Sequence, residues 1–431
     1  MSAQTLFNAF MPTQKKLGLG LQYIGSKEAI APKIIQKIYE YLPNATHFFD
    51  LFGGGGAMSL CAVDSKLITH YNELKSDMCV MYSYVLDCIK NPRSDFGIFD
   101  IDCYQFCDRD EFRQIYNGYL AKKPLSPQQM IKRYVYSFNC KGFTYFKGKF
   151  REKFAKAGHI MVMSPYLQGD YKSAIEVFSD YFGNELGNDI RIIEKFFLEF
   201  CENPQWTALS LYKRQKVFTR FVLKLESLCI AQLLSNFRCY DLKSFENCKK
   251  DEIYQLISKY NPKLPKKQFK QSNERLEAIK GILRLEQTQH IERIGRFENI
   301  KALKQSFSVT NNSYIDFDFK QIAQSLNAKP NNLAIYCDIP YQDASSKATY
   351  KKIYHKNFDI NQFIEWTKAQ VSNGFKIFVS EYNNPAPQVF KEIYSISKQS
   401  NVSKDDTRIE KLFLASENNK ILTKDNEILK G

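Results

Sequence analysis

The chain lacks several features that would place it among membrane, secreted or metal-binding proteins. No apolar run approaches the roughly 20 residues needed to span a bilayer. The amino-terminal stretch MSAQTLFNAFMPTQKKLGLG has no continuous apolar core, which argues against a secretion signal. Eleven cysteines are scattered and odd in number, so they do not describe a disulfide framework. We expect a soluble cytoplasmic protein whose cysteines are buried free thiols.

Histidine is also scarce, and its spacing indicates no metal centre. The five histidines are too dispersed to pair by sequence spacing: His47, His70, His159, His290 and His355. Acidic residues are outnumbered, 46 against 61 basic ones, for a formal net charge of +15. This balance favours a nucleic-acid or other polyanionic partner, because each neutralised phosphate releases counterions. Charge by itself does not distinguish DNA from RNA.

The chain is long enough for more than one hydrophobic core. At 431 residues and 44% hydrophobic content, it predicts one large α/β domain with a substantial insertion, or two domains. The segment EAIAPKIIQKIYEYL repeats isoleucine and leucine at steps of four, which is a helical stripe. THFFDLF then predicts a buried strand that stops at GGGG, followed by a helix in AMSLCAVDS, a strand in LITHYNEL and a helix in DMCVMYSYVLDCIK. This βαβ succession is the start of a doubly wound sheet.

The end of the chain has a matching pattern, and a long basic region lies between. NNLAIYCDIPY and GFKIFVSEYNNP each predict a strand that runs into a polar loop, with a helix in NQFIEWTKAQVSNG between them. In the middle, residues 170 to 300 predict an all-helical insertion, interrupted by an exposed basic loop at 261–273.

The glycine run of DLFGGGG indicates a nucleotide-like ligand without a phosphate cradle. No G-K-[ST] follows the glycines, and the six-residue spacing of a dinucleotide fingerprint is absent. Bare backbone can nevertheless lie close against a ligand near a helix amino terminus. Glu73 ends the next predicted strand, where a carboxylate can accept both hydrogen bonds of a ribose diol. The pattern therefore predicts an adenosine-type site.

Five motifs in this order carry a family resemblance: YIGSK, DLFGGGG, NELKSD, SYID and CDIPY. They resemble the Dam-type (D12 class, alpha group) adenine-N6 DNA methyltransferases over about residues 20 to 90 and 305 to 385. The resemblance implies a Rossmann-like, S-adenosyl-L-methionine-dependent methyltransferase sheet with helices on both faces. It also implies a basic, mainly helical target-recognition insertion. We expect cofactor binding in residues 1–130, target recognition and the helical insertion in 131–304, and the catalytic loop in 305–431.

The same resemblance assigns the cofactor site. Residues of QYIGSK would contact the methionine end, the glycine turn would lie beneath the cofactor, Glu73 would bind the ribose, and the SYID element would lie beside the adenine ring. The implied set is Tyr23, Gly25, Lys27, Asp50, Phe52, Gly54, Gly56, Glu73, Tyr314, Asp316 and Asp338. Simpler roles remain open for three of them: Tyr23 in the core, Lys27 as a solvated charge and Asp316 as a helix cap.

The catalytic loop departs from the family pattern Asp-Pro-Pro-Tyr at one position. It reads Asp338-Ile339-Pro340-Tyr341. In the family, the aspartate and the next main-chain carbonyl accept hydrogen bonds from the adenine N6 amine, and isoleucine keeps that carbonyl. Ile339 loses only the fixed φ of proline, while Pro340 still biases it towards an extended conformation. We expect activity to survive, with Tyr341 stacked on an everted adenine.

Aromatic and basic residues alternate in SFNCKGFTYFKGKFREKFAKAG, a composition that suits a hairpin lying along DNA. The DNA-binding candidates are Asn139, Lys141, Phe143, Lys147, Lys149, Arg151 and Tyr350. A solvated basic turn remains an alternative.

The implied partner is double-stranded DNA, and the sequence leaves open a cognate restriction endonuclease and the oligomeric state. Two other functions also remain open. One is methylation of cytosine N4 or of RNA adenine on the same fold, and the other is a catalytically decayed DNA-binding relative.

Overall fold

The structure, a computed structural model, describes residues 27–137, 145, 149–167, 169–186, 190–211, 213–219, 222, 294, 307–340, 358–399 and 407–417. They divide into two compact units. The sheet unit comprises the described residues of Gly18–Asn91 and Asn299–Gly431, and the helical unit those of Pro92–Glu298.

The elements are numbered along the chain. The strands are β1 His47–Asp50, β2 Ile68–Asn72, β3 Phe307–Thr310, β4 Leu333–Cys337, β5 Ile377–Glu381, β6 Lys391–Gln399 and β7 Thr407–Ala415. The helices are α1 Ala31–Tyr41, α2 Ala57–Asp64, α3 Ser76–Lys90, α4 Ile101–Tyr104, α5 Arg109–Leu120, α6 Pro127–Val135, α7 Lys149–Met163, α8 Tyr171–Leu186, α9 Ile190–Glu202, α10 Pro204–Thr207, α11 Phe319–Ser325 and α12 Ile360–Ser372.

The sheet unit contains a seven-stranded mixed sheet in the order β3-β2-β1-β4-β5-β7-β6. The first five strands of this order are parallel, and β7 pairs antiparallel with both β5 and β6. Chain order reverses between the adjacent strands β1 and β4. In open α/β sheets, the carboxyl ends of strands at such a reversal form the usual ligand crevice.

Both faces of the sheet are covered, because successive strand residues point to opposite sides. One face buries Phe49, Ile335 and Cys337 against α11 and α12. The other face buries Phe48 and Tyr336 against α1 and α2. Because helices cover both faces of these parallel strands, LAIYC and IFVSE are buried at every position.

The elements predicted from local patterns around the two motif regions are confirmed. The isoleucine stripe lies in and beside α1, and Ile30, Ile34, Ile38 and Leu42 are all buried. The strand, turn, helix, strand and helix predicted from THFFDLF onwards are β1, the glycine turn, α2, β2 and α3. The late strands and the helix between them are β4, α12 and β5. The sequence patterns did not indicate β3 or the β6–β7 hairpin.

The helical unit corrects one prediction. Residues 149–158 of the basic segment form the first part of α7 instead of a hairpin strand, whereas Ser137 and Tyr145 form an antiparallel bridge. The physical reason is a helical apolar stripe, since Phe154, Ala155, Ala157 and Met161 are buried along α7. In the predicted insertion, α8, α9 and α10 are helical as expected, and the basic loop at 261–273 lies outside the described residues.

A buried arginine stabilises the helical unit. Arg214 has no exposed surface, and its guanidinium donates to the main-chain carbonyls of Met161, Val162, Phe200 and Trp206 at 2.8–3.1 Å. The guanidinium group of Arg214 also lies over the aromatic ring of Phe200. These bonds join the end of α7 to α9 and α10, since a guanidinium carries its donors in a rigid fork.

Seven cysteines in the described residues are free and buried, as expected: Cys61, Cys79, Cys88, Cys103, Cys107, Cys201 and Cys337. Within the same residues no group of three potential metal ligands comes together, although His47 and His70 hydrogen-bond across β1 and β2 at 3.0 Å. No described helix is long and apolar enough to cross a membrane. The functional assignment of regions 1–130, 131–304 and 305–431 stays a prediction; the compact units divide at residues 91–92 and 298–299.

Candidate active site at the carboxyl edge of the sheet

The glycine turn and the Asp338 segment leave adjacent parallel strands at the same level. Asp50 of β1 is opposite Tyr336 of β4 in the register, and the Leu51 N–H donates to the Tyr336 carbonyl at 3.0 Å. Phe52 and Asp338 each lie two residues further along. Two segments almost 290 residues apart in the chain therefore meet at one edge of the sheet.

The conformation of the glycine turn depends on positive φ angles and on two tyrosine side chains that pack against it. Gly54 and Gly56 have φ of 48° and 76°, which favours glycine, and Gly56 precedes α2. A Cβ on Gly53 would lie 2.2 Å from the ring of Tyr71, and one on Gly56 would lie 2.3 Å from the Tyr82 hydroxyl. The turn needs glycine because these two rings pack directly against its backbone.

Glu73 is tied to the glycine turn. Its carboxylate accepts from the Gly54 N–H at 2.9 Å and from the Lys75 N–H at 3.0 Å. The side chain is partly exposed at the end of β2. A carboxylate has about four lone-pair sites, so two amide bonds orient Glu73 and leave capacity for hydroxyl donors of a ligand.

Asn72, the first residue of the NELKSD motif, was not among the predicted site residues, yet it connects three strand ends. Its buried amide donates to the carbonyls of Leu51 and Asn312, each at 3.0 Å. Its oxygen accepts from the Thr310 hydroxyl at 2.9 Å and from the Asn312 N–H at 3.0 Å. Asn72 thereby fixes the segment that carries Tyr314 next to the end of β1.

Phe52 and Tyr314, both predicted at the cofactor site, are brought together. Their rings stack with centroids 5.6 Å apart, and Phe358 and Phe363 pack around them. Burial raises the pKa of Tyr314 to about 12. Its hydroxyl is buried without a hydrogen-bond partner among the described residues. It is therefore a neutral donor available to a ligand.

In this structure Asp316 acts as a helix cap, which is the simpler of the two roles considered for it. Its carboxylate accepts from the Ser313 N–H at 3.0 Å and caps the short 3-10 helix Tyr314–Asp316. The side chain is exposed. A role beside the adenine ring stays a prediction.

Asp50 is a buried carboxyl group with one unused oxygen. The Ser59 hydroxyl donates to Oδ2 at 2.6 Å, whereas Oδ1 is buried without a partner in the described part of the chain. Burial raises the pKa of Asp50 to about 7, and the charges of Asp338 and Glu73 raise it further, against the bond from Ser59. A buried orphan acceptor costs free energy unless a ligand donor satisfies it.

Lys27 is buried between two carboxylates. Its Nζ lies 2.8 Å from Oδ1 of Asp338 and 3.2 Å from Oε1 of Glu410, and only 2% of the lysine is exposed. Burial alone would lower the pKa of Lys27, but Asp338 and Glu410 together raise it. Lys27 is therefore a buried cation here and no solvated surface charge. Its predicted contact with the methionine end of a cofactor stays a prediction.

Ile339 points to the opposite side of the sheet from this charged group. It is 1% exposed and belongs to the core that contains Ile335, Cys337 and Phe363. Burial of an isoleucine is worth about 1.5–3 kcal/mol relative to exposure. The isoleucine thus anchors the loop by packing, where the family has a proline.

Several predicted site residues cannot be placed. Outside the described residues lie Tyr23, Gly25, Asn139, Lys141, Phe143, Lys147, Tyr341 and Tyr350. Lys149 and Arg151 lie in the first turn of α7, with side chains that are not described. The cofactor-site residues that do come together are Asp50, Phe52, Gly54, Gly56, Glu73 and Tyr314, with Lys27 and Asp338 beside them.

Sequence reasoning missed Glu410 and Asn72. A signal for Glu410 was present in TRIEKLFLA, where alternation places Glu410 on the same face as Leu412 and Leu414. A carboxylate on an otherwise apolar strand face indicates a buried partner.

One comparison with known proteins found a match to part of the chain. Residues 23–141 match the family model described as D12 class N6 adenine-specific DNA methyltransferase. The resemblance predicted from the motifs is thus confirmed over that range, which contains Lys27, the glycine turn and Glu73. No curated protein matches the chain. The Asp338 segment lies beyond the matched range, and its pairing with β1 connects it to the matched part.

Proposed function

We propose that the protein transfers a methyl group from S-adenosyl-L-methionine to the N6 amine of a flipped-out adenine at a specific duplex sequence. The proposal starts from the match of residues 23–141 to the D12 class N6 adenine-specific DNA methyltransferases, which are enzymes acting on DNA. The sheet would then be a Rossmann-like methyltransferase sheet. The observation that carries the proposal is the meeting of the glycine turn and Asp338 at the carboxyl ends of the adjacent strands β1 and β4.

The unsatisfied polar atoms at this edge fit such a cofactor. Oδ1 of Asp50 and the Tyr314 hydroxyl are buried without partners among the described residues, and Glu73 has acceptor capacity left. Asp50, Phe52, Glu73 and Tyr314 would hold the cofactor beside the backbone of Gly54 and Gly56. When bound, S-adenosylmethionine supplies an electrophilic methyl group on a sulfonium, whose sulfur keeps the electron pair of the broken C–S bond.

Asp338 and the Ile339 carbonyl would hold the target amine. The N6 nitrogen is a poor nucleophile while its lone pair is delocalised into the purine ring. Two acceptors on its hydrogens orient the amine so that the lone pair is available to form the new N–C bond. The nitrogen then carries a positive charge and gives up one proton, for which the Asp338 carboxylate is the nearest proposed acceptor. Positioning supplies much of the rate, and no covalent intermediate with the protein is needed.

Access to N6 inside a stacked duplex requires the adenine to leave the helix. We assign stacking on that base to Tyr341, and DNA contacts to Asn139, Lys141, Phe143, Lys147, Lys149, Arg151 and Tyr350. These assignments rest on sequence alone.

The experiment is transfer of a labelled methyl group from S-adenosylmethionine to unmethylated duplex DNA. Wild type should label the DNA, and Asp338→Ala should lower the rate by about 100-fold or more. Asp318→Ala is the matched control, because Asp318 caps α11 on the surface and should affect only stability. Equally low labelling by wild type and Asp338→Ala would refute the enzyme function and favour a decayed DNA-binding relative.

Digestion of the labelled product to nucleosides identifies the modified base. Label in N6-methyladenosine supports the proposal, and label in N4-methylcytosine would replace it with the cytosine alternative. A parallel reaction on RNA tests the remaining alternative. Methylation-sensitive sequencing of the product then gives the recognition sequence.

A further inference from the structure

Glu410 reaches the candidate active site from the far end of the chain. It lies on β7, which runs antiparallel to β5, so the beginning of β7 lies at the carboxyl edge of the parallel strands. In the register Lys411 is opposite Glu381, the last residue of β5. Glu410 is one residue further out, beside the ends of β4 and β5.

The burial of Glu410 demands an explanation. It is 3% exposed, and the next residues on the same face, Leu412 and Leu414, are in the apolar core against α1. A charged carboxylate in such surroundings is strongly unfavourable unless it is paired. Its Oε1 lies 3.2 Å from Nζ of Lys27, which also contacts Asp338.

We infer that Glu410 is a positioning residue for methyl transfer: it shares the buried Lys27 ammonium with Asp338 and so fixes the carboxylate that receives the target amine. The inference rests on the proposed function. Glu410 does not contact the reacting atoms in this account; it acts through Lys27.

A lysine held by one carboxylate could move with it, because its four-carbon stem is flexible. A second, buried carboxylate on a different strand restrains the ammonium from another direction. Lys27 is also anchored through its backbone, since its carbonyl accepts from the Ile30 and Ala31 N–H groups at the start of α1. The Asp338 carboxylate is thereby held against a fixed point.

The arrangement also sets the charge of the group. The positive charge of Lys27 is opposed by the carboxylates of Asp338 and Glu410, next to the proposed site of a cationic cofactor. Within the part of the chain that the structure describes, Tyr336 interacts with both Asp338 and Glu410, and Asp50 interacts with Asp338. Burial raises the pKa of the Tyr336 hydroxyl, which hydrogen-bonds to Ser380 at 2.7 Å, so this tyrosine stays neutral.

The test compares Glu410→Gln with Glu392→Gln. Glu392 pairs with Lys411 at 2.9 Å on the partly exposed surface of the β6–β7 hairpin, so its substitution removes a similar ion pair away from the site. In single-turnover transfer to unmethylated plasmid DNA, Glu410→Gln should lower the rate by about 10- to 100-fold, as small misplacements do. The KM for S-adenosylmethionine should change by less than about threefold, because the lost interaction affects the transition state. Equal rates for the two variants would overturn the inference.

A second readout does not depend on activity. Acetylation of Lys27 by acetic anhydride, followed by peptide mass spectrometry, reports how readily the buried amine becomes accessible and loses its proton. With one carboxylate removed, burial lowers the pKa of Lys27, and acetylation at pH 9 should become at least about threefold faster than in wild type. Unchanged acetylation in Glu410→Gln would show that Glu410 does not hold the ammonium.

Two further outcomes are distinguishable. If Glu410→Gln does not fold, Glu410→Asp keeps the charge on a shorter side chain and should lower the transfer rate by about three- to tenfold with slow Lys27 acetylation; a wild-type rate would overturn the inference. If wild type transfers no methyl group, the proposed function fails and the catalytic part of the inference fails with it. Lys27 acetylation then still decides whether Glu410 anchors the ammonium.

Discussion

Arg214 of the helical unit and Lys27 of the sheet unit are both buried cations, and their charges are accommodated in different ways. Arg214 of the helical unit donates to neutral main-chain carbonyls, and burial lowers its pKa to about 10. Lys27 of the sheet unit faces two carboxylates, which raise its pKa against the effect of burial. Carbonyls satisfy the hydrogen bonds of a buried cation without changing the local charge. Carboxylates bring acceptor groups that can also take part in chemistry.

The difference indicates different purposes. A buried ion pair is weak evidence for a stabilising role, because desolvation offsets much of the attraction. A guanidinium saturated by carbonyls joins helix ends through hydrogen bonds and needs no charged partner. We therefore expect substitution of Lys27 to affect stability and transfer, and substitution of Arg214 to affect stability alone.

The largest effect should follow Lys27→Met. It removes the cation between the buried Glu410 and the partly buried Asp338, which should lower the free energy of unfolding by about 3–5 kcal/mol at pH 8. Transfer should fall by about 100-fold or more, because the acceptor carboxylate loses its anchor. Denaturant titration at several pH values checks the physical cause. The loss should shrink as pH falls, since either carboxylate can then take a proton; a pH-independent loss would contradict the account.

Arg214→Met should lower the free energy of unfolding by about 3 kcal/mol or more, because it leaves several buried carbonyls unsatisfied. The loss should be constant between pH 5 and pH 9, since the arginine titrates only near pH 10. The affinity for S-adenosylmethionine, measured by calorimetry, should stay within about twofold of wild type, because the carbonyls that Arg214 bonds belong to the helical unit. A large loss of affinity would mean that the two buried cations do not differ in purpose.

Ile339→Ala sharpens the comparison within the sheet unit. The substitution removes buried side-chain volume and should lower the free energy of unfolding by about 2 kcal/mol or more. The main-chain carbonyl remains, so the transfer rate should fall less than about tenfold. Thermal unfolding and single-turnover transfer together separate packing from chemistry, with Asp338→Ala as the contrasting variant. Loss of transfer without loss of stability would contradict the role assigned to Ile339.

The smallest effect concerns Asp50. Its pKa is about 7 when folded and near 4 when unfolded, so the native state binds the extra proton between these values. Asp50 therefore contributes stability that is fully present below about pH 4 and is lost as pH rises through 7. Asp50→Asn should remove about 2 kcal/mol of the decrease in stability between pH 5 and pH 8. Denaturant titration across this range checks it, with Asp318→Asn as a surface control; parallel wild-type and Asp50→Asn curves would exclude this origin.

Much of the sheet unit could be predicted from short patterns. Strand, turn and helix in DLFGGGG and its neighbours follow from apolar runs and glycine, which depend on adjacent residues only. The same holds for the isoleucine stripe of α1. The basic segment was misread from residue 149 onwards, because alternating aromatic and basic residues suit a strand, whereas the buried residues of α7 follow a helical stripe.

The sequence by itself determined the local elements around the two motif regions, the glycine turn with its acid at Glu73, and the family resemblance of the motifs. Only the tertiary structure decided that Lys27 lies between Asp338 and Glu410, that Asn72 joins three strand ends, and that Ile339 packs in the core. The reason is that periodicity reports the conformation of neighbouring residues. The partner of a buried charge depends on strand order and register, which are set by contacts between segments hundreds of residues apart.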